Sequence, residues 1–468
     1  MQVVETFGKY VTKLTDEDPR KGQWLLRTGW AAQNFKFRHM PEKRLTKPDQ
    51  YLASEMMRQM RYPLEKPEES AIVSIFAPCE MLHAVGIHPY NAEAFSCYLN
   101  GSKAERACLQ QTDNDGLSET LCSYHRTFIG AAERGLMPKP RFIVYTNLTC
   151  DANMVTFNRL KEFYHVPAFY IDVPLFDKEE DIEYVVKQLH DLKDFLEKNT
   201  GRKLTDDALR ETLRKSKQTL ENFTEFQTLR ADRYIPSDLV TPLYSGMANN
   251  VFLGTDWNLR YSEMLLDEVK KAPKTSGIPL DEVKSASKFS EVVTEHAKDD
   301  VKTACSSESS IEHAKNGSGN SCIRLYWMHT IPFWSQAVKK LCSFNEHVVI
   351  VGDELQETIR PDFDPEDPYR ALAIRMIHHA LNGSILRRID RGIENAKRAG
   401  ADGVVWFNHW GCKHTIGGAQ LAKRKFEEAG LPTLILDGDG CDPTHGGEGQ
   451  TETRLGAFLE MLSQEKSS

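Results

Sequence analysis

The chain has 468 residues, 40% hydrophobic and 27% charged, enough for two or three domains with large buried cores, so its ten cysteines are not needed as disulfide staples. No segment approaches the ~18–20 consecutive apolar residues of a membrane span. A net charge of −8, with Lys and Arg scattered rather than striped, opposes a default affinity for nucleic acid. The start, MQVVETFGKYVTKLTDEDPRKGQ, holds no apolar stretch long enough for a signal peptide, so a cytoplasmic chain is expected, with cysteines serving as thiols or metal ligands.

In chain order, residues 1–70 read as helices with polar faces, broken at Pro19, Pro41 and Pro48 and ending in YPLEKPEES, a helical extension or partner surface. From 71 to 175 short apolar runs (AIVSIFA, FIVYTN, AFYIDV) alternate with helical stretches, the texture of a parallel sheet. Residues 176–272 place apolar positions at helical spacing within charged segments such as IEYVVKQLHDLKDFLEKN and predict a helical connector. Residues 273–321, rich in Ser, Lys and Glu and closing in NGSGNS, predict a mobile surface insertion. A second α/β run fills 322–468, with CIRLYWMH, HVVIVG, GVVWFN and TLILDG as strands.

The two α/β segments look like copies. The first reads FIVYTN, then Cys150, a helix, Pro167 and AFYI up to Asp172; the second reads VVWFN, then Cys412, a helix, Pro432 and TLIL up to Asp437. Asn147 precedes its cysteine by three positions and Asn408 by four, and both Pro-to-Asp intervals are five. Each cysteine follows a strand's carboxyl end and precedes a helix, where open α/β sheets bind ligands. A helix N-terminus favours anions, so these sulfurs are expected to lean toward the thiolate, the form that ligates metal. If the two domains face each other, both meet in one cleft.

Cys122, in LCSYHR, lies 28 residues before Cys150 and starts another helical stretch. Three thiolates suffice for a [4Fe-4S] cluster with one iron open. Spacing alone leaves buried core cysteines as the alternative, and the duplication favours a site. Cys97, Cys305, Cys322 and Cys342 read as structural or incidental, and Cys108 and Cys441 stay undecided. His83, His88, His125, His409 and His414 each read individually as hydrogen-bonded loop or helix residues.

These segments resemble the 2-hydroxyacyl-CoA dehydratase and benzoyl-CoA reductase family, and within it the larger (alpha) dehydratase subunit. The resemblance runs from residue 71 onward, through PCEMLHAVG, LCSYHR, TNLTCD, PAFYIDVP, TIPFW, NHWGCK, DGDGCDP and GQTETRLGAFLEML. It implies two similar doubly wound, flavodoxin-like parallel-sheet domains. It also implies a [4Fe-4S] cluster on Cys122, Cys150 and Cys412, an acyl-CoA substrate at its open iron, a homologous second subunit and a separate ATP-dependent iron-sulfur activator. The chain carries no GxxxxGK[ST] loop, which suits a separate activator.

By the same resemblance, Glu93 in HPYNAE matches a carboxylate that assists proton transfer. Ser74 matches a hydroxyl only if one residue is inserted between it and PCE. Cys79, within PCE, is a candidate for the cluster's fourth position. The implied chemistry is one-electron reduction of the thioester carbonyl to a ketyl radical anion, which expels the C2 hydroxide; the β-hydrogen of the resulting radical is then acidic. A reductase acting on aromatic acyl-CoA and a non-catalytic electron-transfer protein are the alternatives.

Overall fold

The computed structural model describes residues 2–40, 42–274 and 322–467. Pro41, Cys305 and, from residue 275 on, the expected insertion lie outside the described residues. Helices Gln2–Glu17, Pro19–His39 and Lys47–Glu65 form the N-terminal extension. Pro19 and Pro48 open helices there rather than merely interrupt them, because a first-turn proline gives up an N–H that has no intrahelical partner. Asp18 and Thr46 cap those turns by accepting from the amides of Arg20 and Asp49. Gly22, Leu26, Trp30 and Asn34, spaced by four, form the buried stripe of the second helix.

The first sheet holds β1 (Ser70–Val73), β2 (His88–Asn91), β3 (Phe142–Thr146) and β4 (Ala168–Ile171), ordered β2-β1-β3-β4 and all parallel. The second holds β5 (Ile323–Met328), β6 (Val348–Asp353), β7 (Gly403–His409) and β8 (Thr433–Gly438), ordered β6-β5-β7-β8 and again all parallel. The orders are identical once β1 is matched to β5. Strands β1, β3, β5 and β6 are buried along their whole length, as expected where helices cover both faces of a parallel sheet.

In the second sheet Leu325, Trp327, Val405 and Phe407 enter one core, while Tyr326, Met328, Val404 and Trp406 enter another, the two-residue alternation of a pleated strand. The first sheet shares one larger core with the N-terminal extension and with the connector helices Glu179–Thr200, Asp206–Arg230, Thr241–Val251 and Asp256–Lys271. The molecule is thus an α/β protein of two parallel-sheet domains with a helical extension, as its sequence predicts. Among the described residues no helix is long and apolar enough to cross a membrane.

The duplicated asparagines and aspartates do the same thing in both copies. Asn147 Nδ2 donates to Asp172 Oδ1 at 3.0 Å, and Asn408 Nδ2 donates to Asp437 Oδ1 at 2.9 Å. Each bond ties the carboxyl end of one strand to its neighbour just before the cysteine loop. The two halves meet through the DGDGCDP turn: Asp439 Oδ1 accepts from Ser123 Oγ at 2.5 Å, and the Cys441 carbonyl accepts from Asn100 Nδ2 at 2.7 Å. Cys441 is therefore packed into the joint between the halves.

Candidate functional site

A cavity of about 1420 Å³ lies between the carboxyl edges of the two sheets, and Cys122, Cys150 and Cys412 all line it. Within each sheet the winding direction reverses between its first and third strands, so the loops there diverge and leave a crevice. Cys150 ends the loop after β3, where its sulfur accepts from the Ala152 amide at 3.3 Å. Cys122 precedes helix Ser123–Glu133 and Cys412 precedes the short helix Lys413–Ile416. Gly411, at φ +81°, brings the second sheet's loop against Cys122: a Cβ at Gly411 would lie 2.8 Å from the Cys122 nitrogen.

The thiols of Cys122 and Cys150 do not lean toward the thiolate as their positions before helices lead one to expect. Burial first, and then the nearby thiols of Cys412 and Cys150, push the Cys122 thiol well above its ordinary range. Burial likewise pushes Cys150 up to about 11, outweighing the Ala152 amide. Desolvation and like-charge repulsion overcome the helix terminus here, so a bound cation is what would favour the anionic sulfurs.

Two histidines from the second sheet reach these sulfurs. His409 Nδ1 accepts from the Gly440 amide at 2.9 Å, which places the ring proton on Nε2, 3.2 Å from Cys122 Sγ. His329, in the left-handed region at φ +74°, lies 3.7 Å from Cys412 Sγ, and its ring stacks on His409 at 5.7 Å. Behind them the buried Arg388 guanidinium grips Glu354 through two bonds of 2.6 Å. A third bond, of 2.7 Å, runs from Arg388 to His414 Nδ1, which must accept because the guanidinium can only donate.

Glu93 lines the same cavity from the first turn of helix Ala92–Gly101. Asn91 caps that helix by accepting from the Ala94 amide at 2.7 Å, and its Nδ2 donates to Glu93 Oε2 at 2.6 Å. Burial pushes the Glu93 carboxyl up to about 7, against the pull of its own amide and of Asn91.

Ser74 and Cys79 sit elsewhere. Ser74 is buried at the end of β1, accepting from the Thr146 amide at 3.2 Å, and is not among the lining residues. Cys79 is buried in the core beside the Glu80–Arg375 ion pair and does not line the cavity either. Cys97, read from sequence as structural or incidental, lines the cavity one helical turn after Glu93. His329, Arg388 and Glu354 were not singled out from sequence; the signal for His329 was its place just past an apolar strand.

Fold and site together define a class: a two-domain parallel-sheet protein with cysteines from both halves gathered on one interdomain cavity. The family model described as 2-hydroxyglutaryl-CoA dehydratase, D-component, matches residues 74–462. The chain belongs to this family, and by it is an enzyme subunit of the 2-hydroxyacyl-CoA dehydratase type, a hydro-lyase. It is 22% identical over 406 residues to the (R)-2-hydroxyisocaproyl-CoA dehydratase alpha subunit of Clostridioides difficile, covering 84% of this chain and 90% of that one. It is also 22% identical over 368 residues to the (R)-phenyllactyl-CoA dehydratase alpha subunit of Clostridium sporogenes, covering 75% and 79%.

Proposed function

We propose that this chain is the cluster-binding subunit of a radical (R)-2-hydroxyacyl-CoA dehydratase, with Cys122, Cys150 and Cys412 holding a [4Fe-4S] cluster. The observation that carries this reading is the convergence of those three cysteines, from both halves of the chain, on one cavity that also presents Glu93. Among the described residues no three His, Cys, Asp or Glu side chains gather closely enough to hold a single ion. Three thiols that share a cavity and feel one another's charge suit a cluster, whose thiolates bind different irons, better than a mononuclear centre. When bound, such a cluster supplies an open iron for substrate and a relay for the activating electron.

The chain's own residues do the rest. Nε2–H of His409 donates to Cys122 Sγ and orients it, as hydrogen-bond donors do around metal ligands. The thioester, reduced by one electron to a ketyl radical anion, expels its C2 hydroxide, and the β-hydrogen becomes acidic. Glu93 accepts that proton at its carboxylate; its raised pKa puts the base near neutral pH. Loss of hydroxide and of the proton together release water, and the electron returns for the next turnover. A homologous subunit and an ATP-dependent iron-sulfur activator complete the system, in a reducing cytoplasm.

The test combines the anaerobically purified chain with partner subunit, activator, ATP and a low-potential reductant. It follows enoyl-CoA formation from (R)-2-hydroxyisocaproyl-CoA, (R)-phenyllactyl-CoA and related thioesters. Turnover that needs every component is the expected result. Full turnover without activator, ATP or reductant, in enzyme never previously reduced, would contradict the mechanism, and ring reduction of an aromatic acyl-CoA instead would reassign the reaction.

A further inference from the structure

The cavity is larger than the site just described requires. Its volume of about 1420 Å³ exceeds the roughly 300–1,000 Å³ that drug-sized ligands fill. Helix Ala92–Gly101 forms one wall: Glu93, Ala94, Cys97, Tyr98 and Gly101 line the cavity from a single helical face. From Glu93 to Gly101 that wall rises about 12 Å at 1.5 Å per residue. It leads away from Glu93 to two cavity-lining lysines, Lys103 in the turn after the helix and Lys339 in helix Gln336–Cys342.

We propose that Lys103 and Lys339 form the subsite for the phosphate groups of the acyl-CoA, walled by the N-terminal hairpin Gln2–His39, with the pantetheine arm laid along helix Ala92–Gly101 toward Glu93. This rests on the reading of the chain as an acyl-CoA enzyme. Among the described residues neither lysine makes a close ion pair, although Lys339 also feels the more distant carboxylates of Asp238 and Glu448, and Lys103 that of Glu105. The two stand close enough to repel each other: burial, and then Lys103, hold the Lys339 ammonium below its ordinary range. Two adjacent cations, neither held in a close ion pair, at one end of an otherwise largely apolar cavity, match an anionic nucleotide joined to an uncharged arm.

The turn is held for this placement. Lys103 lies in the left-handed region at φ +57°, and its amide donates to the Asn100 carbonyl at 3.0 Å. Gly8 packs on that turn, where a Cβ would lie 2.1 Å from the Lys103 carbonyl oxygen. Trp30 Nε1 donates to Ser102 Oγ at 3.1 Å, so both helices of the hairpin are fastened to it. The hairpin contributes Val4, Phe7, Trp30 and Phe37 to the lining, along with Glu5. The family match starts only at residue 74, so the hairpin lies outside it.

Isothermal titration of the full chain, purified anaerobically, with CoA and with pantetheine tests the subsite, since pantetheine lacks the nucleotide phosphates. The Lys103→Gln/Lys339→Gln double variant is expected to bind CoA about 10- to 100-fold more weakly and pantetheine as the parent does. Raised salt should weaken CoA binding to the parent and leave pantetheine binding unchanged. Unaltered CoA affinity in the double variant would overturn the subsite while leaving the acyl-CoA reading intact. An equal loss for both ligands would show that the lysines support the fold rather than the phosphates, and would also overturn it. A parent chain that binds no CoA would overturn the acyl-CoA reading and the subsite with it.

Discussion

In the first sheet the segment from Asn147, just past β3, to Cys150 spans three positions; in the second the segment from Asn408, near the end of β7, to Cys412 is one residue longer. Both loops leave from the same Asn–Asp bond between neighbouring strands. The longer loop uses its added length at Gly411 to reach across to Cys122 in the other half. The first half supplies two cysteines and the half-buried acid Glu93, and the second supplies one cysteine and two stacked histidines directed at the sulfurs. On the proposed function, a duplicated scaffold has kept its frame and divided the chemistry: proton exchange on one side, orientation of the thiols on the other.

Removing the acid breaks the division most sharply. Glu93→Gln is expected to lower dehydration by about 100- to 10,000-fold with iron content unchanged. Near-normal turnover, or loss of iron along with activity, would remove Glu93 from its role. The parent's rate should fall as pH drops through about 7, where the carboxylate takes up its proton. A stability readout has its own sign. Burial raises the folded-state pKa of Glu93, so ionisation is unfavourable to folding and the stability held at low pH is lost as pH rises through about 7. Glu93→Gln should therefore raise the melting temperature at pH 8 relative to the parent and leave it nearly unchanged at pH 5.

The longer loop is the next point of attack. Gly411→Ala places a methyl against the Cys122 backbone at a positive φ, and the strained backbone alone costs about 1–3 kcal/mol. Thermal melts should show that loss, and iron binding should weaken because the two halves can no longer close at Cys122. An unchanged melting temperature would mean that the extra residue does not set the approach of the loops.

The smallest effects distinguish the two clamps. Asn147 donates to Asp172 and to the Val173 carbonyl and accepts from the Val173 amide, whereas Asn408 makes its bond to Asp437 while its buried Oδ1 lacks a partner among the described residues. At about 0.5–1.5 kcal/mol per hydrogen bond, Asn147→Ala should destabilise more than Asn408→Ala in denaturant melts. The reverse order would show that the first clamp is not the stronger.

The duplication was legible because strand, Asn, Cys, helix, Pro, strand and Asp recur in order, and the Asn–Asp bonds give that pattern its physical reason. The convergence of Cys122 with Cys150 and Cys412 followed from position and resemblance. Less legible were features that depend on contacts distant in sequence. Arg388 and Glu354 are 34 residues apart and meet only once the second sheet is folded. His409 looked like an ordinary loop residue until the Gly440 amide fixed its tautomer. The expected lean of Cys150 toward the thiolate failed because a helix N-terminus is visible in sequence, whereas the burial that opposes it is not. Ser74 matched only through an inserted residue, and its hydroxyl is engaged with the Thr146 amide between β1 and β3.

The central claim, that cysteines from both halves jointly hold one cluster, is tested most directly by iron and sulfide analysis of anaerobically purified protein. About four irons and four sulfides per parent chain are expected, with a sharp fall in Cys122→Ala, Cys150→Ala and Cys412→Ala alike. Cys342→Ala, in the core of the second sheet, should keep the parent's content. Parent-level iron in the three cavity variants, or a parent chain without iron, would contradict it.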